Sequence, residues 1–150
     1  DPGTRQGGVS YASALVDDID RAARFLDEVV GLERRRTMEF RGSGPGGGMI
    51  GLTRGERMRF EQWFSGGSRT GYLVVMQRLE GARAVPDARG FDARGVAAWT
   101  FETPDLDAAV ARAAKAGIAA DVRTVDLPGL GRRRATVLRT PDNFTIELVE

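Results

Sequence analysis

Histidine and cysteine are both absent from this sequence. Without cysteine there can be no disulfide, no thiolate nucleophile and no zinc–thiolate site. Without histidine, Ser-His-Asp triads, imidazole general bases and the commonest metal ligand are excluded together. Lysine is almost missing too: Lys115 is the only one, and arginine supplies the other basic residues. That bias reads as the habit of a GC-rich genome rather than as a functional signal. No apolar run approaches membrane-spanning length, and residues 1–5 do not have the character of a signal peptide, so a cytoplasmic protein without a membrane partner is expected. An excess of either charge is missing as well, the formal net charge being +1. Basic runs occur at Arg34-Arg35-Arg36 and Arg132-Arg133-Arg134, but acidic residues balance them elsewhere. Nucleic-acid binding, which needs a concentrated basic face, is not expected.

What is present has an ordinary globular balance, 41% hydrophobic and 29% charged over 150 residues, suited to one domain or two small fused halves. An internal repeat divides the chain. Asp18-Ile19-Asp20 returns as Asp105-Leu106-Asp107, an offset of 87 (105 − 18), and Val30-Gly31-Leu32 is echoed by Ala116-Gly117-Ile118 at 86 (117 − 31). Each copy reads as strand, helix and further strands. In the first, residues 9–16 predict a buried strand and Asp18 an N-cap, with Asp20 favourable in the first turn. Ile19, Ala22, Ala23, Leu26 and Val30 form one helical stripe, which Gly31 ends. The second copy predicts a strand over 96–101, cap Asp105, stripe Leu106, Ala109, Val110 and Ala113, and stop Gly117. Extended segments are expected at 32–40, 58–64 and 72–79, and again at 120–125, 133–138 and 144–149.

The expected class is therefore α+β: two βαβββ modules, one over about residues 8–80 and one over 95–150, joined by a linker at 81–94. The glycine-rich stretch from Gly42 to Gly48 lacks a following Gly-Lys-Ser/Thr and a following helix signal, so it reads as a mobile loop or lid rather than a phosphate cradle.

Residues 9–22 resemble the first strand and helix start of the vicinal-oxygen-chelate superfamily, which includes glyoxalase, bleomycin-resistance and extradiol-dioxygenase proteins. Thr140-Pro141-Asp142-Asn143-Phe144-Thr145-Ile146-Glu147-Leu148 is similar to that family's closing Asp-Pro-Asp-Gly-Asn-x-x-Glu-Leu signature. The resemblance implies sheets curled into a cleft and, by family habit, a homodimer. The family's metal enzymes use a first-strand ligand, often His, and a last-strand ligand, often Glu, in each half. Carried over, those positions fall on Tyr11 and Ala98, and on Glu147 in the second half. In the first half the last-strand position falls on Val75 or Gln77, with Glu61 a rival. Alanine offers no donor and a phenol is an unusual ligand, so neither metal nor other cofactor is expected.

Alternation along 58–64 assigns Met58, Phe60, Gln62 and Phe64 to a face beneath the helices and Arg59, Glu61 and Trp63 to the cleft. Trp99 turns away with Phe101 as core, leaving Ala98 and Thr100 at the cleft. The expected lining is thus Tyr11, Ser13, Arg59, Glu61, Trp63, Val75 or Gln77, Ala98, Thr100 and Glu147. Two functions fit. One is a metal-independent binding protein that sequesters a bulky aromatic or polyketide-like natural product. The other is a metal-independent isomerase, lyase or cyclase in which Glu147 is the base and Tyr11 or Arg59 stabilises oxyanion charge. A purely structural domain with a filled cleft is a third class.

Overall fold

A computed structural model of the chain describes residues 11–42, 52, 54–69, 71–80, 98–129 and 131–150. The strand starts expected at 9–10 and 96–97, most of the glycine-rich stretch and the linker lie outside the described residues.

The chain divides into two compact units: Asp1–Ile19 with Leu32–Ala84, and Asp20–Gly31 with Val85–Glu150. The first holds β1 (Tyr11–Leu15), β2 (Glu33–Arg41), β3 (Arg57–Phe64) and β4 (Tyr72–Arg78), in the order β1-β4-β3-β2. β1 runs parallel to β4, and the other pairs are antiparallel. The second unit repeats the plan with β5 (Trp99–Glu102), β6 (Arg123–Leu127), β7 (Gly131–Arg139) and β8 (Thr145–Val149), in the order β5-β8-β7-β6. Its helix α2 (Leu106–Lys115) follows β5. These are two mixed four-stranded sheets with βαβββ order, as the repeat predicts.

Helix α1 (Ile19–Arg24) widens into a π-helical segment, Phe25–Val30. Phe25, Leu26, Val29 and Val30 of this segment are all buried. Gly31 closes the segment at φ 85°, its N–H donating to the carbonyls of Leu26 and Asp27. Only glycine takes that conformation without cost, and a Cβ there would also meet Arg112 Nη2 at 3.3 Å. Residues 20–31 group with the second unit rather than with the sheet that precedes them. Inside that unit Arg112 of α2 donates to the carbonyls of Val29 and Val30, and Arg21 pairs with buried Asp142 at 2.8 Å.

Helix α2 follows the repeat logic closely. Asp105 Oδ1 accepts from Ala108 N at 2.8 Å, and Leu106, Ala109 and Ala113 are fully buried. At its end Gly117 takes φ 72° and Ile118 N donates back to Ala113 O, the paired bonds of a left-handed stop. A further clasp holds the helix start. Glu150 Oε1 accepts from Leu106 N, while Arg134 of β7 bonds both Glu150 and Asp107. That guanidinium holds the Asp107 carboxyl below its ordinary range.

Asp105→Ala is expected to lower stability by about 1 kcal/mol, with Asp105→Asn costing less, as read by urea denaturation. Because the Asp107 pKa is depressed on folding, the clasp contributes above the ordinary carboxylate pKa. The contribution is lost as pH falls through the lowered folded value. Denaturation curves of wild type and Arg134→Gln should therefore differ near neutrality and converge in acid.

Candidate functional site

Registered pairs place neighbouring side chains on one side of a sheet, so the ladders of the first unit define its two surfaces. One surface carries, across β1, β4, β3 and β2, the row Tyr11, Tyr72, Phe64, Glu33. The next rows are Ser13, Val74, Gln62, Arg36 and then Leu15, Met76, Phe60, Met38. Met58 and Phe40 continue it, and buried Leu52 joins Met58, Val74 and Met76 in a cluster bordered by Phe40, Phe60 and Tyr72. Toward β1 this surface is open: Tyr11 and Leu15 are 53% and 50% exposed, and Ser13 is exposed as well.

The first row is an aromatic stack. Tyr11 lies on Tyr72 at 5.4 Å between centroids and 16° between planes, and Phe64 lies on Tyr72 at 4.6 Å and 25°. The Arg35 guanidinium caps the far end, 4.5 Å above the Phe64 ring. A register shift between Arg34 and Arg36 makes Arg35 the extra residue of a bulge, which frees it to reach Phe64. Arg35 is also fixed by Glu33 Oε2 and the Ser68 carbonyl. The exposed outer ring of this stack, Tyr11, is a ready surface for another planar group.

The opposite surface carries Ala12, Leu73, Trp63, Arg34; then Ala14, Val75, Glu61, Thr37; then Gln77, Arg59, Glu39. Of the expected lining, the first unit therefore brings together Tyr11 and Ser13 on one side and Arg59, Glu61, Trp63, Val75 and Gln77 on the other. The division of β3 into a core face and a ligand face also differs from expectation. Glu61 is 0% exposed, and Trp63 and Val75 are buried with it, while Phe60 and Gln62 on the supposed core face are half-buried. Alternation along β3 is as expected; which surface is covered is not a property of β3 alone.

Glu61 has a definite local task. Its Oε1 accepts from Arg59 Nη2 at 2.6 Å and from Arg34 Nη1 at 3.1 Å. Arg34 also lies 5.7 Å from the Trp63 ring centroid, so the edge strand β2 is held by charge and by stacking. Glu61 Oε2 and Trp63 Nε1 have no hydrogen-bond partner among the described residues. Gln77 is engaged at the start of α1, where its Oε1 accepts from Ile19 N at 3.2 Å and its Nε2 donates to Asp17 O at 2.7 Å.

In the second unit, Ile146, Leu148, Leu138 and Thr136 are buried on one surface, which Trp99 and Phe101 share. Trp99 meets Phe144 edge-to-face at 4.9 Å. On the other surface Thr100, Glu147 and Val137 form a row. Thr100 Oγ1 donates to Glu147 Oε2 at 2.8 Å, Glu147 is half-buried and Val137 is exposed. Ala98, half-buried, precedes β5 in the phase of Thr100. The turn that aims Glu147 is Thr140 to Phe144, in which Thr140 N donates to Phe144 O and Thr140 Oγ1 accepts from Phe144 N. Asn143 sits there at φ 63°, where the similar closing signature has glycine; asparagine tolerates that region best among side-chain-bearing residues.

The ladders also align the units internally. Ser13 pairs with Val74 as Thr100 pairs with Glu147, which makes Val74 the register counterpart of Glu147. On the open surface of the first unit the sequence did not single out Tyr72, placed Phe64 and Gln62 on a core face, and read Arg35 and Arg36 only as part of a basic run. The only sequence signal for Tyr72 and Phe64 is their aromatic character near strand ends.

The family model for the Glyoxalase/Bleomycin resistance protein/Dioxygenase superfamily matches residues 8–148. No curated protein matches the chain. Among solved structures, a glyoxalase family protein from Bacillus cereus aligns at 18% identity and TM-score 0.75, covering 99% of this chain and 96% of that one. A glyoxylase/bleomycin resistance protein/dioxygenase domain from Frankia sp. EAN1pec aligns at 23% and 0.62, covering 96% and 97%. TnmS3, an antibiotic binding protein from Streptomyces sp. CB03234, aligns at 22% and 0.60, covering 97% of each chain.

Arg59→Met strips a partner from a buried carboxylate and is expected to destabilise by about 2 kcal/mol, since Arg34 remains. Adding Glu61→Leu should restore much of the loss; additive losses in urea denaturation would refute the coupling.

Proposed function

Because the chain belongs to the glyoxalase/bleomycin resistance protein/dioxygenase superfamily, whose fold hosts enzymes and binding proteins alike, we propose that it sequesters a bulky aromatic or polyketide-like natural product without a metal. The observation that carries this reading is the aromatic row Tyr11–Tyr72–Phe64, open at Tyr11. Three rings held parallel offer a fourth planar group a preformed stacking surface, at little ordering cost because Tyr72 and Phe64 are already packed. Exposed Ser13 adds a hydroxyl beside it, and exposed Leu15 extends the apolar surface along β1. TnmS3, an antibiotic binding protein, has the same fold, so the fold can serve small-molecule binding.

In favour of metal independence, the sequence has no histidine or cysteine, and Ala98 stands at one of the expected ligand positions. The same reading takes the protein as a cytoplasmic homodimer without nucleic-acid or membrane partners. In its favour, charge is nearly balanced, and no helix among the described residues is long and apolar enough to cross a membrane.

One observation favours a second reading. Glu147 is half-buried beside exposed Thr100 and Val137, with its carboxylate oriented by the Thr100 hydroxyl. A positioned carboxylate can take a proton from a carbon acid, so a metal-independent isomerase, lyase or cyclase with Glu147 as base is the alternative.

Native mass spectrometry of protein from its own producing organism, with metal analysis, should reveal a co-purifying aromatic molecule and no stoichiometric transition metal. Tyr11→Ala should then weaken binding of that molecule roughly tenfold in calorimetric titration. Unchanged affinity would remove the stacking surface from the site. Conversion of the ligand on mixing, abolished in Glu147→Gln, would select the enzyme; binding without conversion in either protein would select sequestration.

A further inference from the structure

Two polar atoms on the buried surface of β3, Glu61 Oε2 and Trp63 Nε1, are closed off from solvent without a hydrogen-bond partner among the described residues. Their residues are 0% and 2% exposed. Arg59 and Arg34 both donate to the other carboxylate oxygen, Oε1, so the donors that Glu61 attracts are spent on one side of it. Glu61 and Trp63 stand two apart on one strand, so their side chains leave the same surface roughly 7 Å from each other. Their partners in the β3–β4 ladder, Val75 and Leu73, are fully buried and apolar, with no side-chain donor or acceptor to offer. On the β2 side Arg34 spans both residues, bonding Glu61 and lying 5.7 Å from the Trp63 ring centroid. A carboxylate oxygen and an indole N–H are each costly to bury unmet, so two such atoms on neighbouring positions call for a shared partner.

We propose that one internal water molecule bridges the two, accepting from Trp63 Nε1 and donating to Glu61 Oε2. The chemistry of the pair selects this occupant. A cation would satisfy the carboxylate oxygen but not the N–H, and an anion the reverse, so the occupant must donate and accept at once. It must also be small, because the side chains themselves fill most of the distance between their strand positions. Bound there, the water makes Glu61 the junction of three donors and ties Trp63 into the same network, so that edge strand β2 is anchored through Arg34 to a fully satisfied interior. This site lies on the surface of the sheet opposite the aromatic row, and neither it nor the binding reading depends on the other.

The test is a high-resolution crystal structure of the full wild-type chain, together with NMR of its two isotope-labelled indoles, Trp63 and Trp99. A water peak within about 3.2 Å of both Trp63 Nε1 and Glu61 Oε2 is expected. The Trp63 indole proton should show a dipolar cross-peak to a water retained longer than surface hydration, and Trp63→Phe identifies that resonance by removing it. In the double variant Arg59→Met with Glu61→Leu the cross-peak should be lost, since the water keeps the indole but loses the carboxylate. A direct bond between the two side chains, a bond to either atom from Thr37 or any other side chain, or density for no water would each overturn the proposal. A cross-peak that persists in the double variant would overturn it as well. Circular dichroism matching wild type shows that the loss in the variant is local, and the wild-type structure decides alone if the variant does not fold.

Discussion

The hydrogen-bond register between β1 and β4 decides what the first sheet displays. Setting Tyr11 opposite Tyr72 puts every second residue of β1 over an aromatic or apolar surface and hands Ala12 and Ala14 to the buried one. A slip of one residue would exchange the two, presenting alanines to the stack and tyrosine to the interior. That slip would bring Tyr11, Ser13 and Leu15 to the side where Leu73 and Val75 are fully buried. The candidate site is therefore a by-product of a packing constraint on its reverse side.

The arginines follow from the same constraint. β2 lies at the edge of its sheet and is largely exposed, the position most open to unwanted strand pairing. Its run of three arginines divides by phase: Arg34 turns to Glu61 and Trp63, Arg35 bulges toward Phe64, and Arg36 returns to the ladder opposite Gln62. A run that reads in one dimension as a solvated basic patch thus becomes three unlike contacts. Glu61, the buried carboxylate at the centre, fixes charge rather than offering it to solvent.

What was legible in the sequence was local or repeated. Both helix ends with glycine, the Asp105 cap, and the Leu106, Ala109, Ala113 stripe involve partners within a few residues, so spacing alone reveals them. The aspartate repeat gave the βαβββ order because two copies report on one another. The site was legible in part. Thr100 and Glu147 were expected together and are hydrogen-bonded, and Trp99 turns away from them as alternation requires. The placement of Val74 was not legible, because a parallel pair joins segments 61 positions apart (72 − 11) and nothing local sets that offset. Nor was the burial of Glu61 and Trp63, which depends on what covers a surface and not on the strand's own pattern.

The grouping of residues 20–31 with the second sheet bears on how such a chain can be divided. Its polypeptide passes between the two compact units three times, at 19–20, 31–32 and 84–85. Severing it between the two sequence repeats would not release two self-sufficient proteins. The leading fragment would carry away the α1 segment, whose carbonyls at Val29 and Val30 are bound by Arg112 and whose Arg21 is bound by Asp142, both in the trailing one. The leading fragment would hold a part that completes the trailing one, so the second repeat depends on the first for one of its helices. A duplication built this way resists later separation by recombination, because a crossover in the linker exports half of a helix pair along with the sheet it was meant to move.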